Sequence, residues 1–309
     1  MHAQSHTPLH DTRLGIGAGI LAGSFWGLVF LAPILVPGFT PLQLSAGRYL
    51  AYGLVAAVLV APMWRRLLRR LSWREWRQLA WLSLCGNIVY YLFVAQAVQS
   101  GGGVMTAIVI GLLPLSVTLV GSRDHGALPL RRLAPALLLG GAGLGCIARP
   151  APASSQGGGS ALGLACAVGA LVSWTIYAVA NSRCLARLGG ITAHEWSLLT
   201  GVMTGAQAVL LAIPAFMLGG DGHAGGEWLR FGGVVLAVAI LCSVVGNGLW
   251  NYASRTLPLA LTGQLIVFET IFASLYGFIW EARWPTGLEV AALVLMVGGV
   301  VSCASAHRK

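Results

Sequence analysis

The chain has 309 residues, 57% of them hydrophobic and only 9% charged, with 19 basic against 9 acidic side chains and a formal charge of +10. Soluble globular domains run near 25% charged, so this is the composition of a membrane protein. Lys309 is the single lysine, which excludes a GxxxxGK[ST] nucleotide loop, and about ten spans of roughly 20 residues with short joins fill the length and leave no room for a soluble domain.

The N-terminal MHAQSHTPLHDTR is polar. His2, His6 and His10 are spaced by four, but Pro8 breaks any helix that would align them on a metal, and a disordered tail is expected instead. The apolar run that follows is too long for a signal-peptide core and reads as a true span. Hydropathy with Pro, Gly and charge punctuation places apolar runs at 14–36, 40–62, 79–97, 103–121, 133–148, 160–181, 194–218, 231–252, 259–280 and 285–304. Between the second and third lies WRRLLRRLSWREWRQ (64–78), six Arg interleaved with three Trp, which invites comparison with a nucleic-acid contact surface.

Charge distribution favours a different role for that segment. With both termini on one side, that side collects 15 basic residues, including the six Arg of the segment, against three (Arg149, Arg230, Arg283) on the other. The positive-inside rule therefore assigns both termini to the cytoplasm. The Arg-rich segment becomes a cytoplasmic connection, its Arg near anionic headgroups and its Trp at the interface, and no nucleic-acid partner is expected. Trp64 and Trp81 on this side, and Trp228, Trp280 and Trp284 on the other, sketch two aromatic belts. The six Cys (85, 146, 166, 184, 242, 303) never occur as CxxC and read as small buried hydrophobes, so neither a metal nor a cofactor is expected.

RPAPASSQGGGS (149–160) is the one Pro/Ser/Gly-rich connector, and it divides the spans five and five. An odd number per half forces opposite orientations. GSFWG (23–27) echoes LVSWT (171–175), and AQAVQSGGGVMTAIVIGLLPL (95–115) overlies NYASRTLPLALTGQLIVFETI (251–271) at a constant offset of 156. The expected fold is an all-α membrane protein of ten transmembrane helices in two inverted five-helix repeats, 14–148 and 160–304, joined by a periplasmic connector at 149–159.

These residues also carry a family resemblance. SFWG in the first span, FTPLQLSAGRYL (39–50), WNYA (250–253) and FETIFASLYGFIWEA (268–282) resemble the EamA-type branch of the drug/metabolite transporter superfamily across nearly the whole chain. The resemblance implies a bacterial ten-helix carrier of the inner membrane. The family often shows Glu-Pro in the ninth span, where this chain has Glu269-Thr270, so a proline kink there is not implied. Within the family, GGITAHEWSLLTG (189–201) is similar to the exporters of aromatic and other amino acids.

Small residues recur at Gly15, Gly19, Gly23 and Gly27 and at Gly141 and Gly145, a spacing that lets backbones approach closely. Polar residues within the spans need partners in a medium without water. Asn87 and Tyr91 share a face of the third span, Asn247 and Asn251 of the eighth, and Trp174, Tyr177 and Asn181 a stripe of the sixth. With Trp26 and Trp250 they are expected to line a substrate cavity of aromatic walls and a few amides, unless the Asn side chains serve only to hold helices together. Glu269 falls near the middle of the ninth span, where a carboxylate costs about 2.5 to 3.5 kcal/mol. Either it is a proton-coupling acid, or it forms a fixed ion pair with Arg48, the one basic residue within a span.

The leading function is a secondary transporter exporting a small organic metabolite such as an amino acid by alternating access, with the lipid bilayer as its surroundings and the proton and a homodimeric partner left open. An intramembrane enzyme is disfavoured: all seven His lie at termini, in loops or at the rim, HEXXH is absent, and the three Asp lie outside the spans. A membrane scaffold subunit remains the third alternative.

Overall fold

The computed structural model describes residues 9–121, 130–147, 160–185, 187–188, 190–217, 222–256 and 265–306. Among these there are helices and no strands. Six helical stretches are long and apolar enough to cross a membrane, and four shorter apolar helices, Gly103–Val117, Ala134–Cys146, Val267–Trp280 and Gly287–Ser302, accompany them. The side chains of His2, His6 and His10 and the connector 149–159 lie outside the described residues.

The first helix, α1 (Leu9–Gly27), ends in a 3-10 turn and the short α2 (Ala32–Leu35). Helix α3 (Pro41–Val60) starts on a capping box: Thr40 accepts from the Gln43 amide while the Gln43 side chain accepts from Thr40, with Pro41 in the first turn, where a missing N–H costs nothing. The Arg-rich segment is not an open loop. It forms α4 (Trp64–Arg70), which prolongs α3, and α5 (Trp73–Ser83), opened by a second capping box between Ser72 and Glu75. Two of its Arg are used in packing: Arg66 pairs with buried Glu195, and Arg70 donates to the Gly190 carbonyl at 2.5 Å. The guanidinium of Arg66, itself half exposed, reaches a buried carboxylate, where a charge-assisted bond is worth more than at a headgroup surface.

Two segments depart from α-helical winding. Leu84–Val89 and Ala239–Gly246 are π-helical, and each continues into an α-helix, α6 (Tyr90–Gly101) and, farther on, Asn247–Thr256. Two helices are interrupted: α7 (Gly103–Ile110) and α8 (Leu113–Gly121) are separated by a turn at Gly111-Leu112, and a turn at Ile266 precedes Val267–Trp280. Pro114 sits in the first turn of α8, where it terminates nothing. The remaining helices are α9 (Leu130–Ile147), α10 (Ala161–Leu185), α11 (Ala193–Met217), α12 (Gly225–Val238), α13 (Asn247–Thr256), α14 (Val267–Trp280) and α15 (Gly287–Ala306).

The pairings are regular. Helix α3 packs along α11, α9 along α15, and α7 against α14; α1 lies on α13 and its π segment, and α10 on α6 and the other π segment. Gly53 and Gly205 cross backbone to backbone between α3 and α11. In α1, Gly19, Gly23 and Gly27 face Leu265, Phe268–Glu269 and Phe272–Ala273, so this glycine stripe seats α1 against α14. The second stripe is corrected: Gly141 and Gly145 have nothing within 4 Å, and Gly140 and Gly143 instead approach Leu115 and Ala292. Four-residue spacing identifies a face of a helix but not which neighbour meets it.

The described Cys are all free, with Cys85, Cys166, Cys184 and Cys242 buried, as small apolar residues would be. On the loop after α14, Arg283 bridges Glu281 at 2.5 Å and Glu289 at 2.6 and 2.7 Å, and these hydrogen bonds push its already high proton affinity up further.

Candidate functional site

A π turn has more residues per turn than an α-helix and leaves carbonyls available to side chains. Both π segments are used this way. The Tyr49 hydroxyl donates to the Asn87 carbonyl at 3.0 Å, and Trp26 Nε1–H donates to the Cys242 carbonyl at 3.0 Å. Cys242 in turn donates its thiol to Phe25 O at 3.0 Å, and Ser173 donates to Cys85 O at 2.8 Å. These bonds tie α3 and α10 to the first π segment and α1 to the second.

Arg48 stands where these ties converge. Its residue is 9% exposed, its Cζ lies 4.3 Å from the Tyr91 ring centroid and 5.2 Å from that of Tyr49, and its Nε and Nη1 have no hydrogen-bond partner. Tyr90 and Cys242 each lie within the electrostatic reach of both Arg48 and Glu269. Arg48, Tyr49, Tyr90, Tyr91, Cys242 and Glu269 therefore form one neighbourhood drawn from α3, α6, the second π segment and α14.

Glu269 belongs to α14. It occupies the first turn of α14, directly after the interruption at Ile266, with its amide bonded to Ile266 O at 3.1 Å. The half-positive end of a helix favours an anion there by about 0.3–1 kcal/mol. Its neighbour Thr270 packs on Gly111, so the two helix interruptions meet. No ion pair joins Arg48 to Glu269: the guanidinium lies on tyrosine faces, and the half-buried carboxylate has no hydrogen-bond or ion-pair partner among the described residues.

The other residues marked in the sequence divide into groups. Trp26 and Trp250 pack together, ring centroids 5.2 Å apart, and Trp26 borders the charged neighbourhood through Cys242. Trp174 and Tyr177 pair at 5.9 Å, with Tyr177 seated on Gly86 of the first π segment. Asn87 is diverted from the Tyr91 face by the π turn, and its amide donates to Thr204 of α11 at 2.9 Å. Asn181 accepts from Trp196 at 2.9 Å. Asn247 lines a separate cavity of about 60 Å³ with Tyr52, His194, Ser197 and Ser243, toward the face that carries the Arg66–Glu195 pair. The Asn251 side chain lies outside the described residues. Sequence patterning missed Tyr49, Tyr90 and Cys242; the signal available was their adjacency to Arg48, Tyr91 and the second π segment, but π winding has no periodicity in composition.

An apolar crevice of about 200 Å³ between α2 and α12, with Leu31, Leu35, Val234 and Leu241 among its walls, reaches Cys242 from the outside of the bundle. Among the described residues no cluster of His, Cys, Asp or Glu could hold a metal ion.

Comparison with known proteins agrees with this architecture. A crystal structure of a protein 21% identical superposes with a TM-score of 0.65 over 97% of this chain and 98% of that chain, which establishes the shared fold. Inner membrane protein YtfF of Escherichia coli strain K12 is 33% identical over 305 residues, covering 93% of this chain and 94% of YtfF. The EamA-like transporter family matches residues 13–143 and again residues 161–304. With apolar helices throughout, the protein is a multi-pass membrane protein, and it belongs to the EamA-like transporter family of the drug/metabolite transporter superfamily.

Proposed function

We propose that the protein is a proton-coupled secondary transporter that exports a small organic metabolite of the amino-acid class across the cytoplasmic membrane, with both termini inside. The observation that carries this is the convergence of Arg48 and the Tyr90-Tyr91 pair from the first half with Cys242 and Glu269 from the second, at the place where two interrupted helices touch. Binding at interrupted helices between two halves is the arrangement of carriers whose halves rock about a fixed site. Two inverted five-helix repeats, 14–148 and 160–304, account for the pairing of α3 with α11, α9 with α15 and α7 with α14, and for π segments that the 156-residue offset superposes. Trp26, Trp174, Tyr177 and Trp250 supply aromatic walls around this centre.

Of the two roles for Glu269, the lack of an ion-pair partner among the described residues supports coupling: a half-buried acid without a contacting cation there can take and release a proton, whereas a fixed ion pair needs contact. In proteoliposomes, Glu269→Gln is expected to abolish accumulation driven by a pH gradient while keeping solute exchange and thermal stability. Parent-like driven accumulation in Glu269→Gln, or a parent protein that moves no solute from a broad metabolite panel, refutes the proposal.

A further inference from the structure

We infer that Arg48 is the anion subsite of this transporter and takes a carboxylate of the transported solute, an assignment that rests on the transport function proposed above. A guanidinium cannot shed its charge, and at 9% exposure it cannot turn to bulk water. The faces of Tyr91 and Tyr49, 4.3 and 5.2 Å from Cζ, stabilise the charge and Tyr91 takes one hydrogen bond from the guanidinium, yet Nε and Nη1 are left without acceptors. Elsewhere in this chain a buried charge is matched: Glu195 is paired by Arg66. Arg48 has no carboxylate in contact among the described residues, and it lies beside Tyr91, which follows the first π segment, and near Cys242 of the second.

The nearby charge narrows the ligand. Glu269 acts on the same tyrosine and cysteine as Arg48, so a phosphate dianion would meet one guanidinium and one carboxylate, whereas a single carboxylate is balanced by the guanidinium alone. An amino group on the same solute would then find Glu269 as its counter-charge. The planar fork of arginine fits a carboxylate through two parallel N–H···O bonds, and the tyrosine rings fit an apolar or aromatic remainder.

The test uses the full chain purified in detergent and reads thermal stabilisation by three carboxylates, acetate, benzoate and L-phenylalanine, each against its own amide, with inorganic phosphate as a further arm. At least one carboxylate is expected to stabilise the parent at about tenfold lower concentration than its amide, the loss anticipated for removing a hydrogen-bonded charge pair. Arg48→Gln is expected to erase that preference and, without ligand, to unfold at or above the parent temperature, since it removes a buried charge with no carboxylate in contact among the described residues. Arg48→Lys, which keeps the charge and loses the fork, should retain part of it. No carboxylate preference in the parent, an equal preference in Arg48→Gln, phosphate binding more tightly than every carboxylate, or failure of both variants to fold each overturns the assignment. The two proposals separate: carboxylate preference in detergent without transport in liposomes sinks the transporter and keeps the subsite, and parent-level transport by Arg48→Gln does the reverse.

Discussion

Replacing Gly27 by alanine tests the seam that positions Glu269. A Cβ at Gly27 would lie 2.8 Å from the backbone nitrogen of Ala273 and 3.1 Å from the Phe272 Cβ. Backbone cannot swing aside as the tip of a long side chain can, so α1 and α14 must separate by several tenths of an ångström. Overpacking of this kind costs about 1–3 kcal/mol. Gly141 is the matched control: it is also helical and within the membrane stretch, but has nothing within 4 Å of its would-be Cβ, so alanine there gains about 0.5–1 kcal/mol by restricting the unfolded backbone. The backbone gain is common to both substitutions, so the two variants should differ by the overpacking cost, roughly 1–3 kcal/mol, with Gly27→Ala the less stable. Heating aliquots in detergent and measuring the surviving monodisperse peak by fluorescence-detected gel filtration gives the midpoints. A Gly27→Ala midpoint equal to or above that of Gly141→Ala would refute the close approach of α1 to α14.

Two further expectations follow from the contacts. Asn87→Ala and Thr204→Val should each destabilise by about 0.6 kcal/mol, the usual worth of an interhelical hydrogen bond in a bilayer, and the double variant should lose no more than the worse single one; additive losses in the double-mutant cycle would mean that the two side chains do not bond to each other. For orientation, cysteine at Ser72, at the cap between α4 and α5, should react with an impermeant thiol reagent only after permeabilisation, and cysteine at Ala153 in intact cells, with the reverse pattern inverting the assignment of the termini.

Much of the architecture was legible in the sequence because burial in lipid is a local requirement. Every span must be apolar along its length, so composition alone marks it, and positions for the apolar helices follow from hydropathy. The stripe at Gly19, Gly23 and Gly27 was legible for the same reason: small residues at helical spacing mark a close contact, although not its partner. The family followed from short motifs spread over the whole chain.

For the proposed site, the sequence offers candidates but not their arrangement. Arg48 and Glu269 stood out as charges in apolar surroundings, yet whether two charges pair depends on the distance between α3 and α14, which no local pattern encodes. The face shared by Asn87 and Tyr91 assumed α-helical winding; the π turn at Leu84–Val89 rotates Asn87 toward Thr204 and leaves Tyr91 beneath Arg48. That Glu269 falls in the first turn of α14, after the turn at Ile266, with Thr270 against the turn at Gly111, is visible only in the packed structure. Hydrophobicity is a property of each residue and can be read from the chain by itself. Helix winding and charge pairing depend on which neighbours can supply a hydrogen bond or a counter-charge, and those neighbours are brought together only by the tertiary fold.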